Sequence, residues 1–99
     1  MRRQAGNELE LFKGAEREYL EHHFADAAGL FQNLQRDFPN SEQRALYRFL
    51  GELSTVREAV YFPGEHGLEG ALGRIGQLLD HYKGDPLLKA HEEDIWKTL

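Results

Sequence analysis

Residues 68–82 carry Leu68, Ala71, Leu72, Ile75, Leu78, Leu79 and Tyr82 at helical spacing. Such a row lines one face of a helix that turns every 3.6 residues, and it would scatter over both faces of a strand. Nowhere does the chain alternate strictly between apolar and polar residues over five or more positions, so no strand is expected. The expected fold class is all-α, a compact bundle of about five helices whose short connections favour antiparallel neighbours.

The punctuation of the chain sets the helix bounds. Asn7 followed by Glu10 reads as a capping-box variant opening a helix over 8–22, with Leu9, Phe12, Tyr19 and Leu20 as its apolar row and Ala15 beside it. A second helix, 25–38, would bury Ala27, Phe31, Leu34 and Phe38 and stop before Pro39. Asn40 is the expected N-cap of a long third helix, 41–62, with Gln43 at N3. Its main stripe is Leu46, Phe49, Leu50, Leu53, Val56 and Val60, and a second face of Tyr47, Gly51, Ser54 and Glu58 suggests a helix touched on two sides. A turn over residues 63–67 precedes the helix at 68–83. Gly84 suits a left-handed C′ position, and Asp85-Pro86 reads as N-cap and N1 of a last helix, 86–98, carrying Leu88, Ile95 and Leu99.

Shifting the chain by 44 residues aligns Phe24 with Leu68, Ala27 with Ala71, Gly29 with Gly73, Phe31 with Ile75, Leu34 with Leu78 and Phe38 with Tyr82. The small Ala would admit a partner helix and the larger residues would fill the gap beyond it. Two amphipathic helices share much of this pattern by necessity, so duplication and common physics both account for it.

Ala27, Phe31 and Pro39 also stand at the intervals that tetratricopeptide repeats use on their second helix. Phe12 and Tyr19 resemble the first-helix pattern with one residue inserted at the turn, so residues 9–41 resemble one such hairpin. The 44-residue offset exceeds that family's period of about 34, and Leu34 stands where the family has a small residue. A wider resemblance rests on Leu11-Phe12, on Leu50-Gly51 followed by Leu53, Val56 and Ala59, and on Gly70-Ala71-Leu72. These look like the small helical-bundle family catalogued as domain of unknown function three hundred and nine. That family carries a His-Glu pair, an acidic residue and a Trp on its second helix. Here those positions are Ala27, Ala28, Phe31 and Leu34, so the resemblance implies a helical bundle without any chemistry the pair supports.

Composition narrows function further. A chain of 99 residues reads as one domain over 1–99, too small for a spacious buried active site. With no cysteine it has neither a disulfide framework nor a thiolate. Its longest apolar run, Ala59 to Phe62, falls far short of the roughly 20 residues that span a bilayer. Gln4, Gly6, Asn7 and Glu8 interrupt any signal-peptide core after Arg3, so a cytoplasmic location is expected. Seventeen acidic against twelve basic residues give a net charge of −5, which disfavours nucleic acid and anionic membranes as partners. Arg44, Arg48 and Glu52 read as a solvated ion-pair face.

Ser41 reads as a capping residue and Ser54 lies mid-helix, with no nucleophile-elbow sequence around either, so no catalytic residue and no enzyme activity are expected. No cofactor is expected. Glu21-His22-His23 ends the first helix, where imidazoles can meet the helix C-terminus. Adjacent histidines diverge by about 100°, so a metal would need His22, His23 or His66 to recruit ligands from elsewhere. His91-Glu92-Glu93-Asp94 reads as a charged helical face. Gly29, Gly70 and Gly73 lie opposite the apolar rows, which expects either neutral tolerance or close approach of another backbone. The expected function is a non-catalytic interaction or scaffold module with a protein partner, the simplest being a second copy in a homodimer. Its candidate contact residues are Tyr47, Gly51, Gly29, Gly73 and Trp96, with Tyr61 as a further aromatic. The alternative is a bundle that binds a metal ion or small ligand through histidines.

Overall fold

The structure, a computed structural model, describes residues 3–62 and 67–98. His66, residues 63–66 of the expected turn, the Leu68 side chain and Leu99 lie outside the described residues. The chain is an all-α bundle of six helices, with no strand among the described residues: α1 (Arg3–Leu20), α2 (Phe24–Asp37), α3 (Arg44–Tyr61), α4 (Gly67–His81), α5 (Pro86–Ala90) and α6 (Glu92–Thr98). It divides into two compact units, Met1–Thr55 and Val56–Leu99, with the boundary inside α3.

The helix bounds depart most from the sequence expectation at three places. Asn7 is not an N-cap, because α1 begins upstream and runs through it; Gly6 and Asn7 each cost a helix at most about 1 kcal/mol. Nor does Asn40 cap α3. The Ser41 hydroxyl accepts the Gln43 N–H at 3.0 Å, and α3 begins only at Arg44. The single last helix is broken at His91, which caps α5 with its N–H on the Leu87 and Leu88 carbonyls. The acidic triplet Glu92, Glu93 and Asp94 then forms the first turn of α6, where negative charge meets the positive end of the helix dipole. Asp85 behaves as expected, accepting the Leu87 N–H at 2.8 Å with Pro86 at N1.

In the first unit Ala15 and Tyr19 of α1, Phe24, Ala27, Ala28, Phe31 and Leu34 of α2, and Tyr47, Phe49, Leu50 and Leu53 of α3 are buried. Phe12 meets the Phe31 ring at 6.2 Å and the Tyr47 ring at 5.7 Å, and Tyr19 meets Phe24 edge-on at 5.5 Å. Gly51 admits α2: a Cβ there would touch Phe31 Cβ at 3.4 Å and the Ala28 carbonyl at 4.0 Å. Both expected faces of α3 are covered, since Tyr47, Gly51 and Ser54 are buried as well as Phe49, Leu50 and Leu53. The rows are wider than the surfaces that cover them. Leu9 and Leu20 of α1 are exposed.

In the second unit Val56, Ala71, Ile75, Leu78, Tyr82 and Ile95 are buried, together with Arg57, whose guanidinium lies 5.7 Å from the Tyr61 ring centre. Leu72 and Leu79, both in the cleanest apolar row of the sequence, are exposed.

Candidate functional site

The end of α1 folds the chain back on itself. His23 donates its N–H to the Glu18 carbonyl at 2.8 Å and His22 donates to the Tyr19 carbonyl at 3.1 Å, the paired bonds of a Schellman motif. His22 occupies the left-handed position with φ +65°, where glycine is usual and histidine is one of the few tolerated alternatives. Its ring stacks on Phe24 at 5.0 Å. The reversal returns His23 over the last turn of α1, with Nδ1 3.0 Å from a Glu18 carboxylate oxygen and 3.8 Å from Glu21. One ligand atom from each of Glu18, Glu21 and His23 falls within 4.8 Å of the others, a spacing that could hold a metal ion at the surface. The fold thus brings His23 into a converging cluster and leaves His22 out of it. Glu18 was missed in the sequence because only the fold-back places it there.

A second polar cluster ties α1 to the start of α3. The Glu8 carboxylate accepts the Ser41 hydroxyl and, through the same oxygen, the Tyr47 hydroxyl at 2.5 Å. Burial, then the hydrogen bond to Glu8 and its negative charge, push the Tyr47 pKa up to about 12. Ser54 is fully buried and donates to the Leu50 carbonyl of its own helix at 2.7 Å, which occupies its hydroxyl in helix packing.

The third feature is an apolar groove of about 520 Å³ within the second unit, whose lining includes Leu79, Pro86, Leu88, Lys89, Glu92, Ile95 and Trp96. Trp96 is 67% exposed and Leu79 38%.

Of the expected contact residues, Tyr47 is 2% exposed and bound to Glu8, so it is a core residue and presents no surface to a partner. Gly51 is spent on the packing of α3 against α2. Gly29 and Gly73 lie in the open: a Cβ at either would meet nothing within 4 Å, so no backbone approaches them among the described residues. Tyr61 is partly exposed beside Arg57. Trp96 lines the groove of the second unit, while Tyr47 lines a recess between α1 and the start of α3 and Gly29 one between α1 and α2.

Comparison of the chain with protein-family models, with curated proteins and with solved structures returns no match. No helix among the described residues is long and apolar enough to cross a membrane.

Proposed function

We propose that the chain is a non-catalytic interaction or scaffold module of the cytoplasm that docks a protein partner on the groove of its second unit. The observation that carries this reading is the exposed indole of Trp96 beside Leu79 and Leu88 in a preformed apolar groove. Tryptophan is enriched among residues that anchor interfaces, and an anchor needs an apolar recess around it. The tetratricopeptide-like spacing of residues 9–41 supports the same class of function. A photo-crosslinking amino acid placed at Trp96 in cells of the native host is expected to give a discrete protein adduct, while the same group at Gly73 does not. Absence of an adduct at position 96, with the protein folded and abundant, defeats the reading.

A second reading, metal binding, is favoured by the convergence of Glu18, Glu21 and His23. Zinc accepts carboxylate and imidazole donors in a tetrahedral shell, and water could supply the fourth position. Elemental analysis of the purified protein tests it. One equivalent of zinc that disappears in His23→Ala supports a metal centre, and protein that takes up no zinc at micromolar supply removes it.

A further inference from the structure

The recess between α1 and the start of α3 holds a charge that its walls do not offset. It measures about 340 Å³ and is lined by Glu8, Leu9 and Phe12 of α1 with Gln43, Leu46 and Tyr47. Glu8 carries the only formal charge in this lining and is half-buried. Its partners are two neutral hydroxyls, those of Ser41 and Tyr47, both on Oε2, and it forms no ion pair among the described residues. Glu18, Glu52 and Asp85 are also half-buried, but Glu18 lies 3.0 Å from His23, Glu52 lies 3.4 Å from Arg48, and Asp85 caps Leu87. The charge of Glu8 is felt at the back of the recess, where burial first, and then the hydrogen bond and charge of Glu8, raise the Tyr47 pKa to about 12.

We propose that this recess binds a small organic amine, a single ammonium group on an apolar body, with the ammonium on the Glu8 carboxylate and the body against Leu9, Phe12 and Leu46. A carboxylate withdrawn from water is costly until a cation meets it, and a charge-assisted hydrogen bond to an ammonium is among the stronger polar contacts. Glu8 Oε1 keeps its lone pairs for that bond. Phe12 follows Glu8 by one helical turn on the same face, and an aromatic ring beside a cation adds to the attraction. The remaining walls offer side-chain hydrogen bonding only through Gln43, because the Tyr47 hydroxyl is spent on Glu8. An anion would meet Glu8 as a like charge, and a neutral apolar molecule would cover the carboxylate without compensating it. A bare metal cation would find one carboxylate and no second charged ligand. The volume lies at the small end of the range for ligand sites, about 300–1,000 Å³, which sets the size of the amine.

The test titrates the full chain with three probes of one shape, n-hexylammonium, hexanoate and hexan-1-ol, followed by amide chemical shifts. Hexylammonium is expected to give saturable shifts confined to residues 8–12 and 41–47, with a Kd near or below about 1 mM. Hexanol should bind at least about tenfold more weakly and hexanoate not at all. Glu8→Gln keeps the shape and the hydroxyl acceptor but removes the charge, and should reduce hexylammonium to the affinity of hexanol. Leu9→Lys acts at an exposed position, so it spares the core while placing a tethered ammonium at the recess, and should block the added amine. Circular dichroism checks that both variants fold.

Hexylammonium that binds no better than hexanol overturns the proposal, as does an affinity unchanged in both variants. So does the lack of any saturable shift well above the expected Kd. Nα-acetyl-lysine methylamide, which carries the same ammonium on a polar backbone, should bind more weakly than hexylammonium. Equal binding would assign the recess to a protein lysine and overturn the small-amine assignment. None of these outcomes bears on crosslinking at Trp96, which stands or falls separately.

Discussion

The two units handle their apolar surface differently. Met1–Thr55 consumes its aromatics internally: Phe24, Phe31 and Phe49 are fully buried, Phe12 rests on two of its neighbours' rings, and Glu8 fastens α1 to the start of α3 through two hydroxyls. Val56–Leu99 buries mainly aliphatic residues, with Tyr82 and Arg57 beside them, and leaves Leu72, Leu79 and Trp96 uncovered. Both units leave leucines exposed, Leu9, Leu11 and Leu20 in the first and Leu72 and Leu79 in the second, but the uncovered aromatics among the described residues, Tyr61, Phe62 and Trp96, are all in the second. The docking function proposed above rests on those aromatics.

The sharpest break of that comparison comes from matched core truncations. Phe31→Ala is expected to destabilise by about 3–5 kcal/mol and its counterpart Ile75→Ala by about 2–5 kcal/mol, measured by urea unfolding. A larger loss at Ile75 would mean that the second unit holds the tighter core.

A smaller effect tests the polar fastening of α1 to the start of α3. Tyr47→Phe removes a donor to a carboxylate and should cost about 1.5–3 kcal/mol at neutral pH. Because the folded-state pKa of Tyr47 is raised to about 12, its contribution is complete below the ordinary value near 10 and is lost as pH rises through 12. The wild-type protein should lose stability across that alkaline window. Tyr47→Phe should lack this portion of the loss, as seen in unfolding curves collected at both ends of the window.

The smallest effects compare the equivalent glycines. Gly29→Ala and Gly73→Ala meet open space and should each stabilise by about 0.4–1 kcal/mol through the unfolded chain, with no change in assembly size. A loss of stability or of oligomer mass at one position alone would reveal a partner on that face.

Local signals in the sequence were legible unevenly, since neither Asn7 nor Asn40 caps a helix. Asp85-Pro86 restarts the helix as its residue types require. Of the six pairs at the 44-residue offset, Ala27 and Ala71, Phe31 and Ile75, and Leu34 and Leu78 are buried in both members, whereas Phe38 is half-buried where Tyr82 is buried, and the Leu68 side chain lies outside the described residues. Gly29 and Gly73 both face open space, and Phe38 and Tyr82 each donate an N–H to the carbonyl four residues back at their helix exits. What escaped the sequence depends on distant pairing or on coverage. Glu8 finds Ser41 and Tyr47 across 33 and 39 residues, and no spacing rule connects them. Leu9, Leu20 and Leu72 obey helical periodicity, yet periodicity says nothing of how wide a neighbour lies over the row. The cluster around His23 was half legible: the histidine and Glu21 are two residues apart in the chain, but Glu18 joins them only through the left-handed turn at His22. The break at His91 was misread because an acidic run suits a solvated face and a helix N-terminus equally well.

The seam between the units lies at Thr55 and Val56, in the middle of a helix and not in a loop. Severing the chain there would strand the carbonyls of Glu52 to Thr55 and the amides of Val56 to Ala59, each of which needs its partner across the cut. A protease cutting at this seam would first have to open the middle of α3, so cleavage there should be slow compared with cleavage in the loops.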